Sequence, residues 1–231
     1  MNKSDAIFWG VFAVLAIILW LCDRYFNLLR DVSDAAKKPY SYSRVQLAWW
    51  SLVILSSFIA IYLLTGQIPT FNSSNLILLG ISGGTTAAAS LIDSSDQSKG
   101  VVLSQDSNGK NLFQDILSDQ NGVSMHRLQT VIFNLVIGVW FIEQVSYGMA
   151  GLALGLVKCA CKADTIALCK TDLFNNIMPI VTQNNLILLG VSAGTYAALK
   201  TNENKPGMKS APNQIPEVVK DEHTGTNDAK G

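Results

Sequence analysis

The chain has 231 residues, of which 49% are hydrophobic and only 15% are charged, and its mean hydropathy is +0.28. Its 17 basic and 17 acidic residues give a formal net charge of zero, so no overall positive field points to nucleic acid as a partner. This composition excludes an ordinary soluble domain. It predicts an all-α polytopic membrane protein that lies in a lipid bilayer.

Five apolar runs lie between clusters of charge, and each predicts a transmembrane helix because roughly 20 mostly apolar residues cross a bilayer. The predicted spans are Ile7–Cys22, Leu47–Leu64, Leu76–Ile92, Leu128–Val145 and Leu186–Leu199. The third and fifth runs are short, and the fifth has the length of a re-entrant segment. We predict that both cross the membrane, since each follows an Asn-rich approach and ends on a charge, Asp93 or Lys200.

Residues 1–22 predict an uncleaved N-terminal anchor. The residues that follow the first apolar run are bulky or charged, beginning with Leu21, Cys22 and Asp23, so the chain lacks a small-residue cleavage site there. Four tryptophans near the ends of spans one and two are expected to anchor these helices at the membrane interfaces. They are Trp9, Trp20, Trp49 and Trp50.

The chain contains an internal repeat, with residues 23–92 as its first copy and residues 124–200 as its second. The first copy includes the basic loop that precedes its helices. In each copy an S-x-x-R-x-Q element, at Ser41 and at Ser124, opens a long apolar run, and a similar second apolar segment follows in which Gly80 aligns with Gly190. The repeating unit is therefore two hydrophobic helices. Because each unit holds two spans, both copies enter the membrane from the same side, unlike the inverted repeats of many transporters.

Four polar residues of the repeated opening motif form a candidate cytoplasmic interface: Arg44, Gln46, Arg127 and Gln129. The arginines fall in the first helical turn, where a cation opposes the helix dipole. They either extend to lipid phosphates and set the topology, or pair with a carboxylate such as Asp93 or Asp119 or with a cytoplasmic partner. Ser41 and Ser124 are placed to cap the two helices.

Residues 93–123 predict a cytoplasmic linker. Its first part is rich in Ser, Asp, Gln and Gly and should be flexible. A short amphipathic helix follows, with Leu112, Phe113, Ile116 and Leu117 on one face. The segment lacks lysine around its acidic residues, so we expect it to dock against protein rather than on the membrane surface.

Spans three and five carry matching faces of small residues, which allow a neighbouring backbone to approach closely. The candidate helix-packing residues are Gly80, Gly84, Ala88, Gly190, Gly194 and Ala198. Gly84 and Gly194 are central in these faces and are predicted to make the closest helix contacts in the bundle. The sequence leaves open whether the partner helix belongs to the same chain.

Hydroxyl and amide side chains of spans three, four and five predict a polar seam, which is a line of polar groups between packed helices. Its candidate residues are Ser82, Thr85, Ser192, Thr195 and Asn134. The hydroxyls either bond to carbonyls one turn earlier or line a seam between helices, and Asn134 near the middle of span four is expected to form an interhelical hydrogen bond. Glu143 falls nearer the outer interface, where a hydrated carboxylate is expected.

An insert in the second repeat contains Cys159, Cys161 and Cys169. In an oxidising periplasm, Cys169 is predicted to form a disulfide with one of the other two. A zinc site is the rival reading, but three thiols without a nearby histidine make it weak. We therefore predict no cofactor.

Residues 201–231 are hydrophilic and contain three prolines, which predicts a disordered cytoplasmic tail.

The distribution of Lys and Arg predicts the orientation. Basic residues concentrate in the loop after span one, in the loop after span three and in the tail. By the positive-inside rule, the N-terminus then lies in the periplasm and the C-terminus in the cytoplasm. The expected location is a bacterial inner membrane.

The chain resembles a group of bacterial inner-membrane proteins of uncharacterised function. The similarity rests on the S-x-x-R-x-Q openings, on the run DILSD-x-x-G-x-S-x-H-R-x-Q from Asp115 to Gln129, and on the two LLGIS-x-GT-like helices. It covers about residues 40 to 200. The resemblance implies the paired-helix architecture and the bacterial setting, and nothing about an activity.

These features favour a non-enzymatic membrane scaffold whose expected partner is a second copy or another membrane protein. The alternative is a small oligomeric channel lined by the Ser/Thr residues of spans three and five. An enzyme is disfavoured because Glu143, His126 and the cysteines are expected on different sides of the membrane or at separated depths, where no nucleophile and base can meet.

Overall fold

The computed structural model describes residues 3–31, 33, 35–66, 68–100, 109–119, 122–160 and 177–203, with the side chains of 3, 119, 152–160 and 202–203 left out of the description. The six helices in these ranges are α1 Lys3–Phe26, α2 Tyr42–Thr65, α3 Ser73–Ser98, α4 Leu112–Leu117, α5 Met125–Ala160 and α6 Gln183–Glu203. Two short strands, β1 Ser118–Asp119 and β2 Gly122–Val123, pair antiparallel between α4 and α5.

Four of the helices are long and apolar enough to cross a membrane. Within the described residues these are Ser4–Phe26, Tyr42–Thr65, Ser73–Ser98 and Met125–Gly151. They contain four of the five predicted spans, and α6 occupies the position of the fifth without being one of these four. The chain is an all-α membrane protein with about five long helices.

The two repeat helices α3 and α6 run parallel to each other. At their starts, the side-chain amide of Asn72 donates to the carbonyl oxygens of Met178 at 3.3 Å and Pro179 at 3.1 Å. At their other ends, the Lys200 ammonium of α6 lies 3.1 Å from the Asp93 carboxylate of α3. Because start meets start and end meets end, α3 and α6 lie side by side and run in the same direction.

Helices α2 and α5 also run parallel to each other, and a cluster of buried aliphatic and aromatic side chains joins them. Trp50 of α2 packs edge to face on Phe141 of α5, with 6.4 Å between ring centroids. Both side chains are at most 1% exposed. The first helix, α1, contributes Phe8 to the same cluster and packs against both α2 and α5.

One end of the bundle, which we name the α4 end, carries α4, the starts of α2 and α5, and the ends of α1, α3 and α6. There the Asp115 carboxylate accepts hydrogen bonds from the backbone N–H groups of Tyr40 at 3.2 Å and Lys110 at 2.9 Å. Ile116 is buried in a second cluster with Tyr42 and Tyr196. Thus α4 docks on the bundle through Ile116, whereas Phe113 remains exposed.

Helix capping differs from the sequence expectation. Ser41 occupies the N-cap position of α2, but its side chain makes no capping hydrogen bond and lies 3.3 Å from the Ser43 hydroxyl instead. The side chain that caps is that of Asn72, whose Oδ1 accepts from the backbone N–H of Asn75 at 3.0 Å. Asn72 therefore both starts α3 and ties it to the segment before α6.

The fourth span is longer than predicted. Helix α5 continues without a break from Met125 to Ala160, so the apolar run at the beginning of the insert prolongs the helix. Cys159 lies in its last turn, with its side chain outside the description, and Cys161, Cys169 and the tail from residue 204 lie outside the described residues. The predicted disulfide stays a prediction.

Candidate functional site

The small-residue faces of α3 and α6 are largely exposed in the single chain. Gly80, Gly84, Gly194 and Ala198 are all classed as exposed, and Ala88 is half-buried. Among the described residues, nothing lies within 4 Å of the position that a Cβ atom would take at Gly80, Gly84 or Gly194. The prediction that Gly84 and Gly194 make the closest helix contacts is therefore wrong within one chain. Gly190 makes an ordinary contact, with Ile81 of α3 at 3.6 Å.

Among the helical glycines that the structure describes, the closest approach is between α2 and α5. A Cβ at Gly138 would meet the Trp49 indole at 2.5 Å, and the Nε1 of the same indole donates to the carbonyl oxygen of Asn134 at 3.2 Å. A lone glycine in an apolar helix is too weak a signal to have revealed this contact. The sequence placed Trp49 at the interface instead.

Trp50 and Asn134 form a buried hydrogen bond between α2 and α5. Trp50 Nε1 donates to Asn134 Oδ1 at 2.7 Å, and the Asn134 amide donates to the Thr130 carbonyl at 2.8 Å. Asn134 thus makes the interhelical bond expected of it. Trp50, only 1% exposed, is a core residue and not the interfacial anchor that the sequence suggested, whereas Trp9 and Trp20 of α1 are exposed.

The hydroxyls of the candidate polar seam bond mostly to their own helices. Ser82 donates to the Leu78 carbonyl at 2.9 Å, Thr85 to Ile81 at 2.7 Å and Thr195 to Val191 at 2.9 Å. Ser82 and Thr85 are buried in the bundle, whereas Ser192 and Thr195 are half-buried. Four residues after Ser82, Thr86 donates to the Ser43 carbonyl of α2 at 3.1 Å, so it joins the two helices of the first repeat.

The four residues of the candidate cytoplasmic interface do not share one environment. Arg44 is half-buried, Gln129 is exposed, and Gln46 is only 4% exposed. Both polar atoms of the Gln46 amide lack a hydrogen-bond partner among the described residues. Gln46 lies one helical turn from Tyr42 and one turn from Trp50, on the buried side of α2. An outward-facing role for Gln46 is therefore wrong.

Arg127 joins three elements at the α4 end. Its guanidinium donates to the Ser118 carbonyl at 2.7 Å and lies over the Tyr196 ring of α6, 5.3 Å from the ring centroid. The Tyr196 ring in turn packs against Tyr42 of α2, with 4.7 Å between centroids. Arg127 thus stabilises the meeting point of α2, α5 and α6.

Lys200 lies between two carboxylates at the same end. Its ammonium is 3.1 Å from Asp93 and 3.7 Å from Asp31, and its side chain is only 3% exposed. The sequence suggested Asp93 as a partner for the repeated arginines, but the ion pair goes to Lys200. Lysine is rarely buried this fully without such a partner. The Lys200 cluster therefore fixes α6 both to α3 and to the loop after α1.

The loop between α1 and α2 is closed by Arg30. The guanidinium bonds to the Lys38 carbonyl at 2.9 Å and to the Tyr40 hydroxyl at 3.1 Å, lies over the Tyr40 ring and is 3.7 Å from the Asp23 carboxylate. Burial, followed by the negative charge of Asp23, raises the pKa of Tyr40 above its ordinary value, against the opposing effect of Arg30. Tyr40 stays a neutral hydrogen-bonding phenol at physiological pH.

The described residues contain no group of three or more His, Cys, Asp or Glu side chains that could hold a metal ion. No protein-family profile, curated protein or solved structure matches this chain. The candidate site that remains is the pair of exposed small-residue faces on α3 and α6, together with the α4 end, where the charged side chains of the described loops are concentrated.

Proposed function

We propose that this chain is a non-enzymatic membrane scaffold that self-associates through the small-residue faces of α3 and α6. The observation that carries the proposal is the open space at Gly80, Gly84 and Gly194. In a bilayer, helices gain little from burying apolar surface against each other, and close backbone approach at small residues is a main source of association. Such a face turned outward from the bundle is suited to a helix from another copy.

The side chains around these glycines support the same reading. On α3, the exposed aliphatic residues Leu76 and Ile77 lie one turn before Gly80, and on α6, Val191 lies beside Gly194. A glycine between larger aliphatic side chains forms a shallow groove that the backbone ridge of another helix fits. Since α3 and α6 are neighbours, one chain presents two such grooves next to each other.

In this proposal the α4 end faces the cytoplasm and presents the scaffold's partner-binding surface. Basic residues of the described loops and of the adjoining helix ends collect at this end, and the positive-inside rule favours a cytoplasmic location for it. They are Arg24, Arg30, Lys37, Lys38, Arg44, Lys99, Lys110 and Arg127. Phe113 and Met125 are exposed there as well, so a partner would find apolar contacts beside the charges.

The hydroxyl pattern does not favour the alternative of a Ser/Thr-lined pore. Ser82 and Thr85 face the inside of the bundle, and their hydroxyls bond to carbonyls one turn earlier. A pore would need these groups to face an axis shared by several copies, where they could replace the water around a permeating solute. The scaffold therefore remains the function that these contacts support best.

The test is the mass of the protein in mild detergent, where one copy contributes 25.0 kDa. We expect the wild type to run as an oligomer and Gly84→Leu and Gly194→Leu to shift it toward the monomer. Their melting temperatures should change little, because the added side chains enter open space. Gly10→Leu, at an equally open glycine on α1, is the matched control and should leave the oligomer intact.

Two results would contradict the proposal. One is a wild type that is monomeric in detergent and also fails to cross-link in membranes. The other is an oligomer that survives both leucine substitutions unchanged.

A further inference from the structure

The facing sides of α2 and α5 carry a row of buried polar side chains, which we name the polar row. Its members are Tyr42, Gln46 and Trp50 of α2 and Thr130 and Asn134 of α5, and each is at most 5% exposed. Residues spaced by four lie on one face of a helix. Because α2 and α5 run parallel, the members from the two helices meet in the same order along the interface.

The polar row is in contact across the interface at both of its ends. At the end nearer the middle of the bundle, Trp50 Nε1 donates to Asn134 Oδ1 at 2.7 Å. At the other end, the Tyr42 hydroxyl lies beside the Thr130 side chain but forms no hydrogen bond of regular geometry among the described residues. Gln46 lies one turn from Tyr42 and one turn from Trp50, so its amide is between these two contacts.

The Gln46 amide is the group of the row that most needs a partner. Its Nε2 and Oε1 atoms both lack a hydrogen-bond partner among the described residues. An amide can donate two hydrogen bonds and accept two, and a buried amide that makes none loses its hydration without compensation. In native proteins such groups are nearly always bonded to protein or to ordered water. The amide therefore calls for a polar partner that fits between the two helices.

The chemistry around Gln46 describes this partner. The Thr130 hydroxyl donates to the His126 carbonyl oxygen at 2.7 Å, which leaves its oxygen as an acceptor, and the Tyr42 hydroxyl can both donate and accept. None of the side chains in the polar row is charged at neutral pH, so an ion would find no counter-charge in the row. The partner must therefore be small and neutral, and it must donate as well as accept.

We propose that the polar row binds an ordered water molecule, which joins the Gln46 amide to the hydroxyl of Tyr42. Water donates two hydrogen bonds and accepts two, and a buried water typically makes about three to polar groups that would otherwise be unpaired. At this position it bonds to the Gln46 amide, to the Tyr42 hydroxyl and to the Thr130 oxygen. These side chains come from two helices, so the water is a bridge between α2 and α5.

The place of the site in the bundle gives water an entrance and an end. Tyr42 is the first residue of α2, at the α4 end, where the helix reaches the aqueous phase. Beyond Gln46 the row is closed by the bond between Trp50 and Asn134, and then by the cluster of buried side chains that contains Phe141. The site is therefore a dead-end hydration site and not part of a path across the membrane. Because it lies between α2 and α5, it does not depend on self-association through α3 and α6.

The direct experiment is a crystal structure of the full chain in a lipid mesophase, at a resolution that shows ordered water. We expect a compact density peak within about 2.7 to 3.2 Å of a polar atom of Gln46 and of the Tyr42 hydroxyl oxygen, the distances of ordinary hydrogen bonds. In Gln46→Leu, which keeps a side chain of similar size without polar atoms, this peak should be lost.

A double-mutant cycle measures the same bridge in solution. Gln46→Leu and Tyr42→Phe each remove one bonding partner of the water and change the size of the side chain little. We expect the combined effect on the unfolding equilibrium constant in mixed micelles to differ about fivefold from the product of the two single effects. Gln129→Leu, at the exposed equivalent of Gln46 in the second repeat, is the matched control and should show no coupling to Tyr42→Phe.

Three outcomes would overturn the proposal. A hydrogen bond made directly between Gln46 and Tyr42, with no density between them, would replace the water by a protein contact. A Gln46 amide bonded to another part of the chain would do the same. A coupling near zero with a raised melting temperature of Gln46→Leu would show that the amide is buried without a partner, because its removal then relieves an uncompensated loss of hydration.

Discussion

The ammonium of Lys200 lies 3.1 Å from the carboxylate of Asp93, and both side chains are at most 4% exposed. These residues come from the ends of α6 and α3, the two helices with similar apolar sequences. An ion pair buried this fully contributes little net stability compared with an apolar pair, but removal of one partner leaves an uncompensated charge in the protein interior. The contact therefore fixes how the end of α6 docks on α3.

Lys200→Met should destabilise the protein by about 3 kcal/mol, because Asp93 and Asp31 then face each other without their shared cation. That loss corresponds to a drop in melting temperature of roughly 6 to 12 °C for a chain of this size. The double variant Lys200→Met with Asp93→Asn should recover part of the loss. Lys99→Met, an exposed lysine near the end of α3, is the control. Strictly additive losses in the double variant would disprove the coupling.

The bond between Trp50 and Asn134 can be measured with a double-mutant cycle. Trp50→Phe removes the indole donor, and Asn134→Ala removes the acceptor, so each single change leaves a buried polar group unpaired. We expect a coupling free energy of about 1 kcal/mol in mixed-micelle unfolding, in line with other interhelical hydrogen bonds in membranes. Trp20→Phe, at an exposed tryptophan of α1, should have no such effect. A coupling near zero would contradict the 2.7 Å contact.

Gly138 and Gly84 form a matched pair for testing the helix contacts. Gly138→Ala places a methyl group against the Trp49 indole, which the bond to the Asn134 carbonyl holds in place, and should cost about 1 to 3 kcal/mol of unfolding free energy. In Gly84→Ala the added methyl group enters open space. Because alanine has a higher helix propensity than glycine, by up to about 1 kcal/mol, the unfolding free energy should be unchanged or raised. Thermal unfolding in detergent compares the two. A Gly138→Ala variant as stable as wild type would exclude the close approach.

The orientation can be tested with reporters that are active in only one compartment. A fusion after Thr70, in the turn between α2 and α3, should report the periplasm, as should a fusion after Lys170. Fusions after Lys38 at the α4 end and after Lys209 should report the cytoplasm, because the basic loop residues gather on that side. A cytoplasmic signal at Thr70 or Lys170 would reverse the proposed topology.

The sequence predicts where the helices lie far better than which faces they bury. Long apolar runs specify spans because a bilayer demands about 20 such residues whatever the neighbours are. The glycine pattern of α3 and α6 specifies a flat face but not its neighbour, and within one chain Gly84 faces outward. Trp20 and Trp50 look alike as tryptophans near span ends, yet one is exposed and the other is core.

The repeat itself limits what the sequence could reveal. Gln46 and Gln129 occupy equivalent positions in the two copies, yet Gln46 is buried and Gln129 is exposed. In the bundle α2 packs against α3, whereas α5 packs against α6, and the two opening helices therefore have different surroundings. The burial of equivalent residues therefore differs for reasons that lie outside the repeated motif.

The ion pair between Asp93 and Lys200 also sets an order of events during synthesis. More than a hundred residues separate the two partners, which at typical translation speeds of about 5 to 20 residues per second means a delay of roughly 5 to 20 s. Through that interval the first repeat is already in the membrane while Asp93 has no counter-ion from α6. The docking of α6 on α3 through this ion pair is therefore one of the last contacts of the bundle to form.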